Sequence, residues 1–487
     1  MADALWRTEK ADRFGVIVDG AAYFHHARQA MMAAEHRIAL IGWDFDVDLV
    51  LDAEADEGPA DIGDFLIWLV RRRPALQIYI LRWDLGLLKM LLRSNAVSTL
   101  LRWRLEPRIH ARLDGLHPPT ATHHQKIVVV DDAFAFCGGI DMLSDRWDTP
   151  EHRDDDPGRR DRYGRIAKPW HDVTTAMTGP AAGALGALFR NRWRAVTGRA
   201  LEPVSVAEAP WPEGLPVLLR DIPVGIARSV PASEAREPIR EVESLYLAHI
   251  AAARRFIYAE SQYFASRRIA EAVAARLEEE DGPEVVLINP QSAEGWLEPI
   301  AMDSARARLY DDLKSRDRHD RLRLYHPFTA GGEAIYVHAK VMIVDDATLR
   351  IGSSNLNNRS MRLDTECDVV VAASGERTTE IEAAIRGVRR RLMAEQLGLP
   401  EAEVADEDAK HGSLIAAIET LRAGGGRLRP YSPPNLSGVK TWLADNEILD
   451  PEGPEEMFEP IRKRGLFRRL RRWAGGKDGS DSSGGAR

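Results

Sequence analysis

His124-Gln125-Lys126-Ile127-Val128-Val129-Val130-Asp131 returns later in the chain as His338-Ala339-Lys340-Val341-Met342-Ile343-Val344-Asp345. Both stretches place His, Lys and Asp at relative positions one, three and eight. Both reach a glycine fourteen residues after the histidine, in Gly138-Gly139-Ile140-Asp141 and Gly352-Ser353-Ser354-Asn355. The β-branched run after each lysine reads as a buried strand. His124 and Lys126 are two apart, so a strand would send both side chains to one face. That face has to open on a cleft, because a lysine is rarely buried without a partner. Asp131-Asp132-Ala133 and Asp345-Asp346-Ala347 read as tight turns. Second strands follow at 134–137 and 349–351. Gly139 and Ser353 allow close backbone approach, and their N–H groups can face an anion. A single copy would read equally well as a hairpin with incidental polar residues; two copies in register weigh heavily against that. A doubled chain can bring two sets together across an internal pseudo-twofold axis. Two facing histidines then suit displacement at phosphorus, one attacking and one protonating the leaving group.

The duplication extends upstream. Residues 22–36 carry apolar residues at helical spacing and 38–45 read as a strand; 238–254 and 256–264 repeat that order. Strand-like runs at 76–83 and 284–289 follow, each with a helical stretch before the histidine. Alternating strands and helices argue an α/β fold with mixed sheets, built as two duplicated lobes with the site at their seam. The expected divisions are a first lobe at 1–208, a second at 209–400, a helical and basic extension at 401–474 and a Gly/Ser-rich disordered tail at 475–487. Pro210 to Pro216 reads as a docked connection between the lobes, and 376–397 as a helix ended by Gly398 and Pro400.

The chain has 487 residues, 29% charged, with a net charge of −9, which argues against a surface built wholly for nucleic acid. No apolar run is long enough to span a bilayer, and the first residues lack a signal-peptide core. The expectation is a cytoplasmic protein, peripheral to a membrane or exported by a route that needs no such signal. Cys137 and Cys367 form neither a disulfide framework nor a zinc spacing and read as small apolar fillers. No His-Glu-x-x-His pattern is present, so neither metal nor other cofactor is expected. His25-His26 reads as packed or solvated. His123 points to the face opposite His124.

On the doubled His-x-Lys-x4-Asp signature the chain resembles the phospholipase D superfamily. Further segments place the resemblance nearest the plant and animal lipid-cleaving branch: Asp145-Arg146-Trp147-Asp148-Thr149-Pro150-Glu151-His152, Pro169-Trp170-His171-Asp172, Ile257 to Phe264, and Gly352 to Met361. It spans roughly residues 15 to 400, judged by motifs in context. No C2, PX or PH type of domain is expected ahead of it, a departure from that branch. Gly-Gly-Ile-Asp at 138–141 also departs, since many relatives have Ser and Asn there, which bears on the first-half phosphate contacts. The resemblance implies a two-lobed α/β fold and a catalytic set of His124, Lys126, Asp131, His338, Lys340 and Asp345. Asp131 and Asp345 lie beyond the strand ends and are expected to hold turns. His124 takes the nucleophile's role and His338 the acid's. Lys126 and Lys340 neutralise phosphate oxygens, with Asn355, Ser353 and Gly139 as further phosphate contacts. Asp141, an acid, is expected to cap or orient backbone. The family pattern crosses its carboxylates, Glu366 to His124 and Asp172 to His338. His171 ranks below the motif pair as a group that reaches substrate.

The implied activity is cleavage of a glycerophospholipid's distal phosphodiester through a phosphohistidine, with transfer to alcohols, by a monomer acting at a membrane surface. A phosphatidyltransferase of the cardiolipin synthase type and a nuclease are the enzymatic alternatives, and a scaffold with a degenerate site is the third. Trp43, Trp147, Trp170 and Tyr263 could cradle a quaternary ammonium or belong to the core. In the segment Arg462 to Trp473, basic and without an acid, Leu466, Phe467, Leu470 and Trp473 would share one helical face. That pattern suits a helix lying on an anionic membrane and equally a solvated basic tail. Removing the chain from Arg462 onward should weaken co-sedimentation with anionic liposomes; undiminished binding leaves the solvated tail.

Overall fold

A computed structural model describes residues 4–83, 96–118, 121–160, 164–232, 237–293 and 298–433. The basic segment at 462–473 and the tail at 475–487 lie outside the described residues. One sixteen-stranded mixed sheet runs through both halves. At its middle, Arg7–Val18 pairs antiparallel with Leu219–Val230, from Arg7 opposite Ile226 to Phe14 opposite Leu219. Outward from Arg7–Val18 come Val173–Thr178, Phe134–Gly138 and Ile127–Val130, all antiparallel. Arg37–Gly42 then pairs antiparallel with Ile127–Val130, and Gln77–Trp83 and Ile109–Asp114 follow in parallel. Outward from Leu219–Val230 the same order repeats: Glu366–Ala372, Thr348–Gly352, Val341–Val344, Phe256–Glu260, Glu284–Ile288 and Leu322–His326. The internal repeat in the sequence is thus a pseudo-twofold in the fold.

Period-two alternation fixes which face each residue serves. Val128 and Val130 face an outer core with Phe24 and Met31 of helix Gly20–Ala33 and Phe65 and Leu69 of helix Ile62–Arg72. Met342 and Val344 face the matching outer core under helices Glu241–Ala252 and Arg267–Leu277. Ile127, Val129, Val341 and Ile343 face a core shared by both halves, filled by helices Pro180–Thr197 and Thr378–Leu397. Asp61 caps Ile62–Arg72 by accepting from Asp64 N at 2.9 Å. The two shared-core helices end on left-handed glycines, Gly198 (φ 72°) and Gly398 (φ 64°). The connection at 210–216 is docked: the Trp211 ring meets Phe134 edge-on at 5.9 Å. Among the described residues beyond 400, Arg429–Pro430 pairs with Leu322–His326 at the sheet edge. Cys137 and Cys367 are free, buried thiols facing each other across the seam, with Cys137 Sγ 3.6 Å from Cys367 O. Among the described residues no helix is long and apolar enough to cross a membrane.

The motif aspartates do more than hold their turns. Asp131 and Asp132 both have φ 52°, Asp345 and Asp346 both φ 58°, and Ala133 N and Ala347 N close the turns on Val130 O and Val344 O. Both central residues therefore have positive φ, as a type I′ hairpin turn requires. The Asp131 carboxylate reaches across to accept the backbone N–H groups of Glu35, His36 and Arg37. Asp345 does the same for Arg254, Arg255 and Phe256. Each clasps the start of the neighbouring strand. The four-residue strand carries each carboxylate roughly 13 Å from its site end. Asp131→Ala and Asp345→Ala should each cost about 3 kcal/mol, because three N–H donors lose a charged acceptor. Thermal unfolding checks this against Asp145→Ala, whose side chain is half exposed.

Candidate active site

The two histidine-bearing segments stop short of their strands. His124, Gln125 and Lys126 precede the strand that opens at Ile127, so the expectation of one continuous strand is corrected. Their backbones pair instead with the other half. His124 N donates to Thr365 O at 3.0 Å, and Thr365 N to Thr122 O at 2.9 Å. In mirror fashion Tyr336–Val337 pairs in parallel with Trp170–His171, and His338 N donates to His171 O at 2.8 Å. The residue after each acceptor is an acid. His124 Nδ1 consequently lies 3.1 Å from both Glu366 carboxylate oxygens, and His338 Nδ1 lies 2.6 Å from Asp172 Oδ2. In each ring Nε2 is the nitrogen turned away from the acid.

The lysines reinforce this arrangement. Lys126 Nζ donates to His124 O at 2.9 Å, and Lys340 Nζ donates to His338 O. Asp141 does not cap backbone as expected; its Oδ2 lies 3.2 Å from Lys126 Nζ and its Oδ1 is buried without a hydrogen bond. In the second half the matching position is neutral. Asn355 Nδ2 donates to Gln262 Oε1 at 3.2 Å.

Two expected anion contacts are corrected. Gly139 N donates to Val173 O at 2.9 Å and so faces no anion. Its lack of a side chain makes room for Asp172, whose Oδ1 would lie 2.1 Å from a Cβ built there. Ser353 N is held by Asp368 Oδ1 at 3.1 Å, while its hydroxyl donates to Glu366 Oε2. Ser353 therefore braces the acid that braces His124. His171 does not reach out to substrate. It is fully enclosed, with Nε2 2.8 Å from Glu260 Oε2 and Nδ1 against Glu395. Trp170 is core-like: it stacks on Tyr336 at 4.5 Å, lies 5.1 Å from the His338 ring, and carries the Arg146 guanidinium 3.7 Å over its face. Of the other aromatics, Trp43 stacks on Trp83 at 6.0 Å, and Tyr263 OH accepts from Gln262.

Sequence reasoning missed Arg146, Ser353 as a brace, and a second buried cluster of Asp19, His152, His171 and Glu395. His152 and His171 lay inside the quoted segments, but their partners Asp19 and Glu395 come from distant stretches and share no spacing with them.

Burial dominates the electrostatics. It pushes His124 down to about 3, helped by the charges of Lys126 and Lys340. Burial, then Lys340 and Arg146, holds His338 well below the usual range. Lys340 is driven down to about 7 by burial, against the pull of Asp172. Burial raises Glu366, opposed by the Ser353 hydroxyl. Without an anion the site keeps both imidazoles neutral, as a nucleophilic nitrogen requires.

Comparison with known proteins agrees with the geometry. Residues 30–213 match the family model "Phospholipase D", and 246–388 match "Cardiolipin synthase, PLD-like domain". "Phospholipase D alpha 1" of Carica papaya is 24% identical over 76% of this chain, and that of Vigna unguiculata 26% over 76%. The chain spans 63% of the length of each. The phosphatidylserine synthase of Haemophilus influenzae Rd KW20 shares the fold, with a TM-score of 0.54 at 14% identity over 96% of this chain and 94% of that one. A doubled α/β fold with paired motif histidines at its seam defines the class. The chain belongs to the phospholipase D superfamily, and these curated relatives lie in its plant-type branch.

Histidine ¹⁵N spectra should show the His124 ring neutral down to about pH 4, since its folded pKa lies near 3. The signal is assigned by its loss in His124→Gln; a ring titrating near its ordinary value of about 6.5 would sink the burial argument.

Proposed function

We propose that this protein is a phospholipase D that cleaves the distal phosphodiester of phosphatidylcholine-like glycerophospholipids at a membrane surface. The observation that carries it is the crossed pair of imidazole–carboxylate contacts, His124 with Glu366 and His338 with Asp172, flanked by two buried lysines. His124 Nε2 attacks phosphorus, the bond to the headgroup oxygen breaks, and His338 gives that oxygen its proton. The product is a phosphatidyl-histidine and a free headgroup alcohol. His338 then takes a proton from water, whose oxygen displaces His124 and releases phosphatidic acid; a small alcohol in place of water gives a phosphatidyl alcohol. Lys126 and Lys340 balance the non-bridging oxygens, and Asn355 adds a neutral donor. Asp131 and Asp345 contribute through the fold. His124 keeps 16% of its side-chain surface and His338 6%, which favours His124 as the attacking ring. An entering phosphate anion raises the pKa of His338 and lets it carry the proton.

The description of the second-half family model supports a neighbouring reading, a phosphatidyltransferase. Both readings share the covalent intermediate and differ in acceptor. Incubation with mixed phospholipids and a short primary alcohol should give phosphatidyl alcohol. Products from nucleic acid alone would overturn the lipid assignment. His124→Ala and His338→Ala should each lower hydrolysis by at least about a thousandfold with folding intact, since members of such a unit fail together. Substantial activity in either would remove the two-histidine mechanism.

A further inference from the structure

Behind the proposed active site lies a second set of buried titratable side chains that this mechanism does not use. Asp19, His152, His171 and Glu395 are each almost wholly enclosed, and one ligand atom from each lies within 4.8 Å of all the others. We propose that this cluster binds a structural zinc ion.

Three of the spacings approach those of a small tetrahedron, while His171 Nδ1 and Glu395 Oε1 are in direct hydrogen-bond contact. Zinc bonds of about 2.0–2.1 Å put neighbouring ligand atoms about 3.3 Å apart. His152 Nε2 lies 3.2 Å from Glu395 Oε1 and 3.8 Å from Asp19 Oδ2, and His171 Nδ1 lies 3.3 Å from Asp19 Oδ1. Asp19 Oδ2 and Glu395 Oε2 are buried with no hydrogen-bond partner. Two carboxylate oxygens of the cluster thus sit desolvated without a hydrogen bond, a cost that a cation held by both carboxylates would remove.

The outer ring is independent support. A metal-bound imidazole presents one nitrogen to the ion and has the other held by an acid. Both histidines do this. His152 Nδ1 lies 2.9 Å from Asp148 Oδ2, and His171 Nε2 lies 2.8 Å from Glu260 Oε2. Those acids are themselves braced. Asp148 accepts from Trp170 N and Thr149 N, and Glu260 from Tyr258 OH and Gln396 Nε2.

Two imidazoles and two carboxylates, without thiolate, select a first-row transition dication. Calcium and magnesium want six or more oxygen ligands or retained water, which an enclosed four-ligand set does not offer. A closed four-coordinate set is the structural-zinc arrangement. The ion would perform no chemistry. It would bolt Glu395, from the last turn of helix Thr378–Leu397, to three first-half ligands. Asp19 Oδ1 also accepts from Asp172 N at 3.1 Å, so the bolt would sit one peptide from the acid that orients His338.

The test is elemental analysis of the purified full-length protein, as isolated and after reloading with zinc sulfate and gel filtration. Stoichiometric zinc is expected, falling to background in His152→Gln and Glu395→Gln. The zinc-edge absorption spectrum of the wild type should fit two imidazole nitrogens and two oxygens. A chain that stays zinc-free after reloading overturns the proposal and leaves the cluster as proton-bridged ion pairs. So does zinc retained by the folded variants, or a shell containing sulfur or oxygen alone. Should the variants fail to fold, the wild-type content and spectrum decide. Zinc content is read without any phosphodiester assay, so it stands or falls separately from the proposed reaction.

Discussion

Backbone pairing across the seam is the constraint on which the site depends. The peptide at His124 bonds to Thr365, and the peptide at His338 bonds to His171. Each places an imidazole one residue from an acid that belongs to the other half. Neither lobe could hold its own histidine in this orientation, because the orienting carboxylate is always the neighbour's. Duplication alone would yield two half-sites; the exchange of short strands turns them into one.

Desolvation sets the chemistry that this geometry can perform. Lys126, Lys340, Asp172 and Glu366 are all buried, and any charge there depends on its partners. Burial, helped by the positive charge of the lysines, holds both imidazoles neutral, and burial also holds the acids back from ionising.

The pseudo-twofold is broken where it matters. In the first half Gly139 gives way to the short side chain of Asp172; in the second Ser353 offers its hydroxyl to the longer Glu366. Asp141 faces Lys126, whereas the matching Asn355 is neutral. Trp170, with Arg146 over its face, packs against His338. Two rings at matching positions of the repeat thus sit in different fields.

Much of this was legible in residue order. The strand Ile127–Val130, its partner Val341–Val344, the turns after them and the helix closing at Leu397 declare themselves through local periodicity and turn chemistry, which depend on near neighbours. The doubled His and Lys likewise marked the superfamily. Tertiary structure alone decided that His124 to Lys126 leave their strand, because the bonds that hold them lie at Thr365, far along the chain. It also decided that Gly139 and Ser353 spend their N–H groups on backbone and acid, and that His171 turns inward to meet Asp19, Glu260 and Glu395. Residue order records what each side chain can do; which partner it meets was fixed only when two halves closed over one seam and excluded water from it.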